Sequence, residues 1–276
     1  MIAAEYITQW GLTAPWPTRQ QVEQDLVLSR LIVEIAAHPV LGPELAMRGG
    51  TCLHKLHLPR ALRYSEDLDY VRRTRSGIKP YLAALREVVE NVGLQEKATQ
   101  RSGDMVHFIA VAQAEDGGHI VVKVELNIAE VDAILPRTAL PLSVDSRWWT
   151  GSGEISTFAI EELTATKLRA LYQRRKGRDL FDLWYLLTDL EPDPELIVST
   201  LHAYMKDTAL TYPELRLNLR DKLAHDAFGA DLQALTVARP AGYDPDTAAD
   251  LVMERLGSHL RNAPADRDIA GGAWRD

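Results

Sequence analysis

The sequence predicts an α/β (α+β) fold in which strands and helices share the N-terminal half and helices alone make up the C-terminal half. Three observations predict it. Residues 106–112 and 119–127 are β-like runs joined by a connection containing Glu-Asp-Gly-Gly, the pattern of a hairpin with a longer loop. A shorter run around Asp67 to Arg72 alternates Asp with apolar residues at period two, as a strand does. From Ile160 onward, apolar residues recur at helical spacing. With 276 residues, 46% of them hydrophobic, the chain can hold about two domains, each with a core. The expected loop Thr150-Gly151-Ser152-Gly153, after Trp148-Trp149, sets the expected boundary, with residues 1–150 as the α/β domain and 151–276 as the helical domain.

Taken in order, Pro15 and Pro17 lead into a helix from Arg19 to Ala37, with Val22, Leu26, Val33 and Ala36 on its apolar stripe. Gly42-Pro43 end it, and Glu44 to Arg48 lead to the turn Gly49-Gly50-Thr51, followed by a short helix at Cys52 to Leu56. After the strand at Asp67, Pro80 suits the first turn of a helix that carries Leu82, Leu85, Val88, Val89 and Val92. In the run from His119, Ile120, Val122, Val124 and Leu126 form one face, so Val121, Lys123, Glu125 and Asn127 share the other. Asp132 to Ser146 has weak periodicity. The later helices are expected at Ile160 to Arg175, Asp179 to Leu190, Pro194 to Lys206, Pro213 to Phe228 and Asp246 to Leu260, with a loosely held tail from about Asn262.

Composition narrows the function classes. A net charge of −8 argues against indiscriminate binding to a phosphate backbone, which calls for a basic domain. Basic residues do cluster locally, at Arg72, Arg73, Arg75 and Lys79, and at Arg174, Arg175, Lys176 and Arg178. No apolar run approaches the roughly 20 residues of a membrane span, and the opening residues lack a signal-peptide pattern. Cys52 is the one cysteine, so neither an internal disulfide nor a cysteine zinc site is available. Cytoplasmic residence and no membrane partner are the resulting expectations.

The chemistry concentrates at Arg48-Gly49-Gly50-Thr51 and Arg63-Tyr64-Ser65-Glu66-Asp67-Leu68-Asp69-Tyr70. Asp67 and Asp69 project from one face of a strand and suit hard cations. A Gly-Gly-Thr turn lets backbone N–H groups approach phosphate oxygens. Glu125, on the polar face of a later strand, is a candidate third carboxylate. In the helical half, Lys167 lies at the centre of an apolar stripe, four residues from both Leu163 and Leu171, where a lysine needs a carboxylate, a phosphate or a route to water. Asp179 lies at the edge of the next helix's inner arc, with Asp182 and Asp189 one step further round. Lys167 and Asp179 therefore suit a buried ion pair or a ligand cleft, and Asp179 also suits a helix N-cap.

These segments, in this order and with Glu162-Leu163, Lys167-Leu168-Arg169-Ala170-Leu171 and Arg178-Asp179-Leu180-Phe181-Asp182-Leu183, resemble the AbiEii/MenT nucleotidyltransferase toxins of the DNA polymerase β-like nucleotidyltransferase superfamily. The resemblance runs from about Arg48 to Leu187. It implies a mixed-sheet nucleotidyltransferase domain followed by a helical domain that completes an active-site cleft. It further implies Mg²⁺ in a two-ion site, a nucleoside triphosphate donor, an RNA acceptor at the tRNA 3′ end, and a cognate antitoxin. Carried over residue by residue, Asp67, Asp69 and Glu125 would be the metal ligands, with Lys167 and Asp179 completing the catalytic set. Gly49, Gly50, Thr51, Lys55, Ser65, Lys167 and Asp182 would hold the nucleotide, and Arg72, Arg73, Arg174, Arg175 and Arg178 the RNA. The chain departs from the family pattern in having Thr51 where Ser is usual and Glu125 where Asp is usual. Two other classes use similar parts: a metal-dependent glycosyltransferase, whose Asp-x-Asp follows a larger doubly wound domain, and a nucleotidyltransferase fold that has become a binding module.

Overall fold

The structure, a computed structural model, describes residues 2–130, 132–206, 209–237 and 240–262. The tail expected to be loosely held falls, after Asn262, outside the described residues. The chain divides into two compact units, Met1–Phe158 and Ala159–Asp276.

The first unit opens with α1 (Ala4–Trp10) and α2 (Arg19–Ala37). Thr18 and Gln21 form a reciprocal capping box that starts α2 where the sequence placed it. Next come β1 (Leu45–Arg48), α3 (Gly49–Cys52) and β2 (Asp67–Arg72). α3 continues into one wider turn, Leu53–His57. The helix expected at Cys52 thus begins three residues earlier, at Gly49. α4 (Lys79–Val92) has Pro80 in its first turn and ends at Gly93, whose φ of +91° lets the chain turn away. β3 (Gln95–Ser102), β4 (Met105–Gln113), β5 (His119–Asn127), β6 (Thr138–Asp145) and β7 (Thr150–Thr157) complete the unit.

These strands form one mixed seven-stranded sheet in the order β3-β4-β5-β2-β1-β7-β6. β4 and β5 are the expected hairpin, with Val106 opposite Leu126 and Ala112 opposite Ile120. β2 pairs with β5 in parallel and with β1 antiparallel, so it lies at the centre of the sheet. α2 packs against β5, β6 and β7, and α4 packs against α2 and β3. The stretch Thr150 to Gly153, expected as a loop, is instead the start of β7 and pairs with Asp145 back to Leu142 of β6. Close packing explains the glycine there: a Cβ on Gly151 would lie 2.3 Å from the Trp149 ring.

The second unit is helical: α5 (Ile160–Gln173), α6 (Gly177–Asp189), α7 (Pro194–Met205), α8 (Tyr212–Leu223), α9 (Asp226–Ala230) and α10 (Pro245–Arg255). The single helix expected from Pro213 to Phe228 is broken at His225, whose backbone is extended. The break sets the carbonyl of Phe228 against Gly177, where a Cβ would lie 2.0 Å from that oxygen. α5 packs on α6 and α7, and α6 on α10. Phe181 sits edge-on to Tyr243 with ring centres 5.0 Å apart.

Candidate active site

β2 and β5 are far apart in the sequence, yet their pairing sets Asp67 opposite Lys123 and Asp69 opposite Glu125. Side chains alternate along a strand, so these four project from one face of the sheet. Leu68, Val124 and Leu126 point to the other face and are buried. Asp69 is also opposite Arg48 of β1, and Glu125 is opposite His107 of β4. Four neighbouring strands therefore supply one charged cluster at the middle of the sheet. Lys123 Nζ lies 2.7 Å from Glu125 Oε1 and 3.2 Å from Asp67 Oδ1. His107 Nδ1 lies 3.1 Å from the same Glu125 oxygen. Asp69 and Glu125 hydrogen-bond each other.

The charge in this cluster is unevenly distributed. Part of Asp69 reaches solvent, but the carboxyl is set deep among protein atoms. Burial, then the charges of Glu125 and Asp67, push it up to about 7, against the opposing charge of Arg48. Burial acts upward on Glu125 too, but hydrogen bonds from Lys123 and Asp69 and the charges of Lys123 and His107 hold it below the ordinary range. Asp69 is therefore the proton donor of the pair and Glu125 the acceptor. Burial pulls the Lys123 ammonium down, and its bonds and charge interactions with Glu125 and Asp67 outweigh that, so it stays protonated.

The glycine turn is fitted to this cluster. Gly49 has φ +84°, and a Cβ there would lie 2.0 Å from Asp69 Oδ2. At Gly50 a Cβ would lie 2.5 Å from Arg63 Nη2 and 2.8 Å from Ser65 Oγ. Glycine is thus required at Gly49 by its positive φ and the approach of Asp69, whether or not a phosphate is bound, while Gly50 is crowded by the side-chain ends of Arg63 and Ser65. Thr51 is 1% exposed, and its hydroxyl donates to the Asp67 carbonyl at 2.6 Å and lies 3.0 Å from Ser65 Oγ. That bond ties α3 to the start of β2. Lys55 is engaged elsewhere: its ammonium lies 2.9 Å from both oxygens of Asp25, which also accepts from Trp10 Nε1 at 2.8 Å. Asp25 is a buried carboxylate in the middle of α2, and these donors satisfy it.

In the second unit, Lys167 on α5 and Asp179 and Asp182 on α6 do come together. Lys167 Nζ lies 2.7 Å from Asp182 Oδ2 and 3.4 Å from Asp179 Oδ1. Arg174 binds Asp179 through both oxygens, at 2.7 and 2.8 Å. Asp179 and Asp182 have no solvent exposure. Burial would raise Asp179, but the Arg174 hydrogen bonds and the Lys167 and Arg174 charges hold it below the usual carboxylate range. Asp179 is not the N-cap of α6, a place taken by Lys176; it turns inward to these two cations.

The arginines expected at RNA differ in availability. Arg72 is 3% exposed, donates to the Ser76 carbonyl at 2.5 Å and lies over the Tyr81 ring at 5.4 Å. A guanidinium used inside the core leaves little surface at Arg72 for a phosphate. Arg73, Arg174 and Arg175 are exposed, and Arg178 is partly so. Arg175 pairs with Asp221 at 2.6 Å, and Arg178 lies 3.9 Å from Asp231.

Three carboxylates make an all-oxygen donor set, which suits a hard divalent cation. The crowding that keeps a proton on Asp69 is also what such a cation relieves. The arrangement is not preformed, however. Among the described residues no three His, Cys, Asp or Glu side chains are gathered tightly enough to hold a metal as they stand, and the Lys123 ammonium bridges Asp67 and Glu125. Lys123 and His107 belong to no motif; the one sequence signal for Lys123 is that it shares the polar face of β5 with Glu125.

Comparison with known proteins identifies the family and the fold. The family model described as nucleotidyl transferase AbiEii toxin, type IV toxin–antitoxin system, matches residues 30–255. Among solved structures the chain is similar to MenT4, a nucleotidyltransferase toxin from Mycobacterium tuberculosis, at 17% identity and a TM-score of 0.68, over 96% of this chain and 91% of that one. It also matches, with a TM-score of 0.35 and 16% identity, an antigenic nucleotidyltransferase-like protein from Paracoccidioides brasiliensis, over 76% of this chain and 94% of that one. Comparison with curated proteins gives no match. With the family model spanning most of the chain and a mixed α/β fold shared with MenT4, the chain belongs to the AbiEii family of nucleotidyltransferase toxins of type IV toxin–antitoxin systems and is a nucleotidyl transfer enzyme.

Proposed function

We propose that this enzyme transfers a nucleotide from a nucleoside triphosphate to the 3′ end of an RNA, with tRNA as the acceptor, in a Mg²⁺-dependent reaction in the cytoplasm. The observation that carries the reading is the in-register row of Asp67, Asp69 and Glu125 beside the Gly49-Gly50-Thr51 turn. Asp67 and Asp69 would hold the metal ion that binds the triphosphate, and Glu125 would complete the second ion's ligands. When bound, the ions neutralise the charge that develops on the entering and leaving oxygens. The chain's own residues supply position. The backbone N–H groups at the start of α3 would hold phosphate oxygens, and the Ser65 hydroxyl would add a donor. Asp69, whose carboxyl is pushed up to about 7 by burial and its acidic neighbours, would be ionised as a ligand. Glu125, aligned by His107, would help activate the attacking RNA hydroxyl.

Lys167 is assigned to neutralising triphosphate charge, with Asp179 and Asp182 orienting its ammonium. Arg73, Arg174, Arg175 and Arg178 are assigned to RNA phosphates. The cognate antitoxin expected for the family would restrain the activity.

The test is incubation of the purified protein with total tRNA, Mg²⁺ and each α-labelled nucleoside triphosphate. Label should appear on the RNA 3′ end, and Asp69→Ala should abolish it without lowering the thermal midpoint. Label carried only by protein would exclude RNA as the acceptor. No labelled product under any condition would remove the reading altogether.

A further inference from the structure

We infer that Lys123 is a built-in counter-ion for the carboxylate row: its ammonium occupies the place between Asp67 and Glu125 in the metal-free enzyme and must leave when a divalent cation binds. The inference rests on reading these carboxylates as metal ligands.

Strand register fixes the placement. Lys123 is opposite Asp67 across the β2–β5 pair and two residues before Glu125 on the same strand face. A single ammonium therefore reaches Asp67 Oδ1 at 3.2 Å and Glu125 Oε1 at 2.7 Å. Those are oxygens a bridging cation would use, and two positive charges cannot share the space between them. The side chain can also leave, since it is 36% exposed and its flexible four-carbon stem has a route to solvent. The pair bonds at this exposure are individually weak, so an incoming divalent cation can displace the ammonium. While Lys123 stays, it keeps Glu125 aligned and offsets part of the repulsion among three adjacent carboxylates. Once released, it stands at the rim of the cluster as a free cation beside any bound phosphates. His107 shares the same Glu125 oxygen at 3.1 Å and keeps Glu125 in place after Lys123 has gone.

The experiment compares wild type with Lys123→Met, which keeps the apolar stem and removes the charge. Mn²⁺ binding is measured by calorimetry and by electron paramagnetic resonance without nucleotide, and thermal midpoints are measured with and without the metal. Lys123→Met should bind Mn²⁺ about tenfold more tightly. Its midpoint should lie below wild type without metal and close to wild type with saturating Mn²⁺. The affinity gain should survive 0.5 M salt, roughly where the Debye length falls below about 5 Å and long-range charge effects are screened. Equal Mn²⁺ affinity in the two proteins, or a gain lost at high salt, or a midpoint deficit unchanged by Mn²⁺, would overturn the role of Lys123 and leave the metal reading standing. Failure of both proteins to bind Mn²⁺ would overturn the two together.

Discussion

Two ionic clusters, one in each unit, solve the problem of buried charge in opposite ways. In the helical unit, Asp179 and Asp182 face Lys167 and Arg174, so two carboxylates meet two cations where neither carboxylate is exposed. In the sheet unit, two of three adjacent carboxylates, Asp67 and Glu125, share the Lys123 ammonium at the surface of β2 and β5 while Asp69 bonds Glu125, with His107 and Arg48 at the edges. The consequence appears in the titration: Asp179 is held below the usual carboxylate range, whereas Asp69 is pushed up to about 7. In the balanced buried network both carboxylates are satisfied by the protein's own cations. An unbalanced and partly exposed one has binding capacity left for a ligand, and it is the one beside the glycine turn.

The sharpest way to break this comparison is to remove one acid from each cluster. Asp67→Ala should lower nucleotidyl transfer by on the order of 10³-fold, since a metal-held interaction worth several kcal/mol is lost, with the fold intact by circular dichroism. Asp179→Ala should act on stability first, and on activity only through the Lys167 ammonium it helps to orient. It leaves Lys167 and Arg174 facing a buried site with one carboxylate fewer and should cost about 3–5 kcal/mol in a denaturant titration. If Asp67→Ala unfolds the protein and Asp179→Ala does not, the two clusters have been given the wrong roles.

Gly49→Ala comes next. The substitution meets both a positive φ and a Cβ position 2.0 Å from Asp69 Oδ2. It should cost about 1–3 kcal/mol in stability and displace the carboxylate it strikes, with a loss of Mn²⁺ affinity in the same preparation. A Gly93→Ala control, which has positive φ but open space around it, should show the strain without the metal effect.

A pH titration of metal-free protein sharpens the contrast further. Asp69 has its ordinary value near 3.8 when unfolded and about 7 when folded. Between these values the folded state holds the extra proton, so stability should fall as pH rises through the window. Asp179, shifted the other way, contributes stability that is present above the unfolded value and lost as pH falls through its lower folded value. Saturating Mg²⁺ should flatten the slope between about pH 4 and 7, because a metal-bound Asp69 is ionised throughout. Asp69→Asn should remove the slope with or without metal. The smallest effect belongs to Arg175→Ala: its pair with Asp221 is exposed on both sides, so its removal should cost less than about 1 kcal/mol, and any larger change should be in RNA affinity alone.

Much of this was legible in the sequence wherever the signal was local. Asp67 and Asp69 announced a shared face through their spacing, and alternation along β5 put Glu125 on the polar side. The helical stripe of α5 marked Lys167 as a charge needing a partner, and the structure supplies Asp182 and Asp179. What stayed hidden depends on pairing between distant segments. That Asp69 meets Glu125 follows from the parallel register of β2 and β5, which no period in either strand encodes. Lys123 looked like any lysine on a solvated strand face. Lys55 lies close in sequence to the glycines, but Asp25, a buried acid on the inner side of α2, takes its ammonium. β3, Gln95 to Ser102, is polar because it is an edge strand and mostly exposed, and β1 is too short to show a period.

The central claim is that the carboxylate row of β2 and β5 drives nucleotide transfer to RNA. Sequencing of tRNA 3′ ends after incubation with Mg²⁺ and all four nucleoside triphosphates tests it most directly, using wild type and Asp69→Asn side by side. The account predicts added nucleotides at 3′ ends with wild type and none with Asp69→Asn, at equal far-ultraviolet dichroism. Extension at the same rate by Asp69→Asn would contradict it.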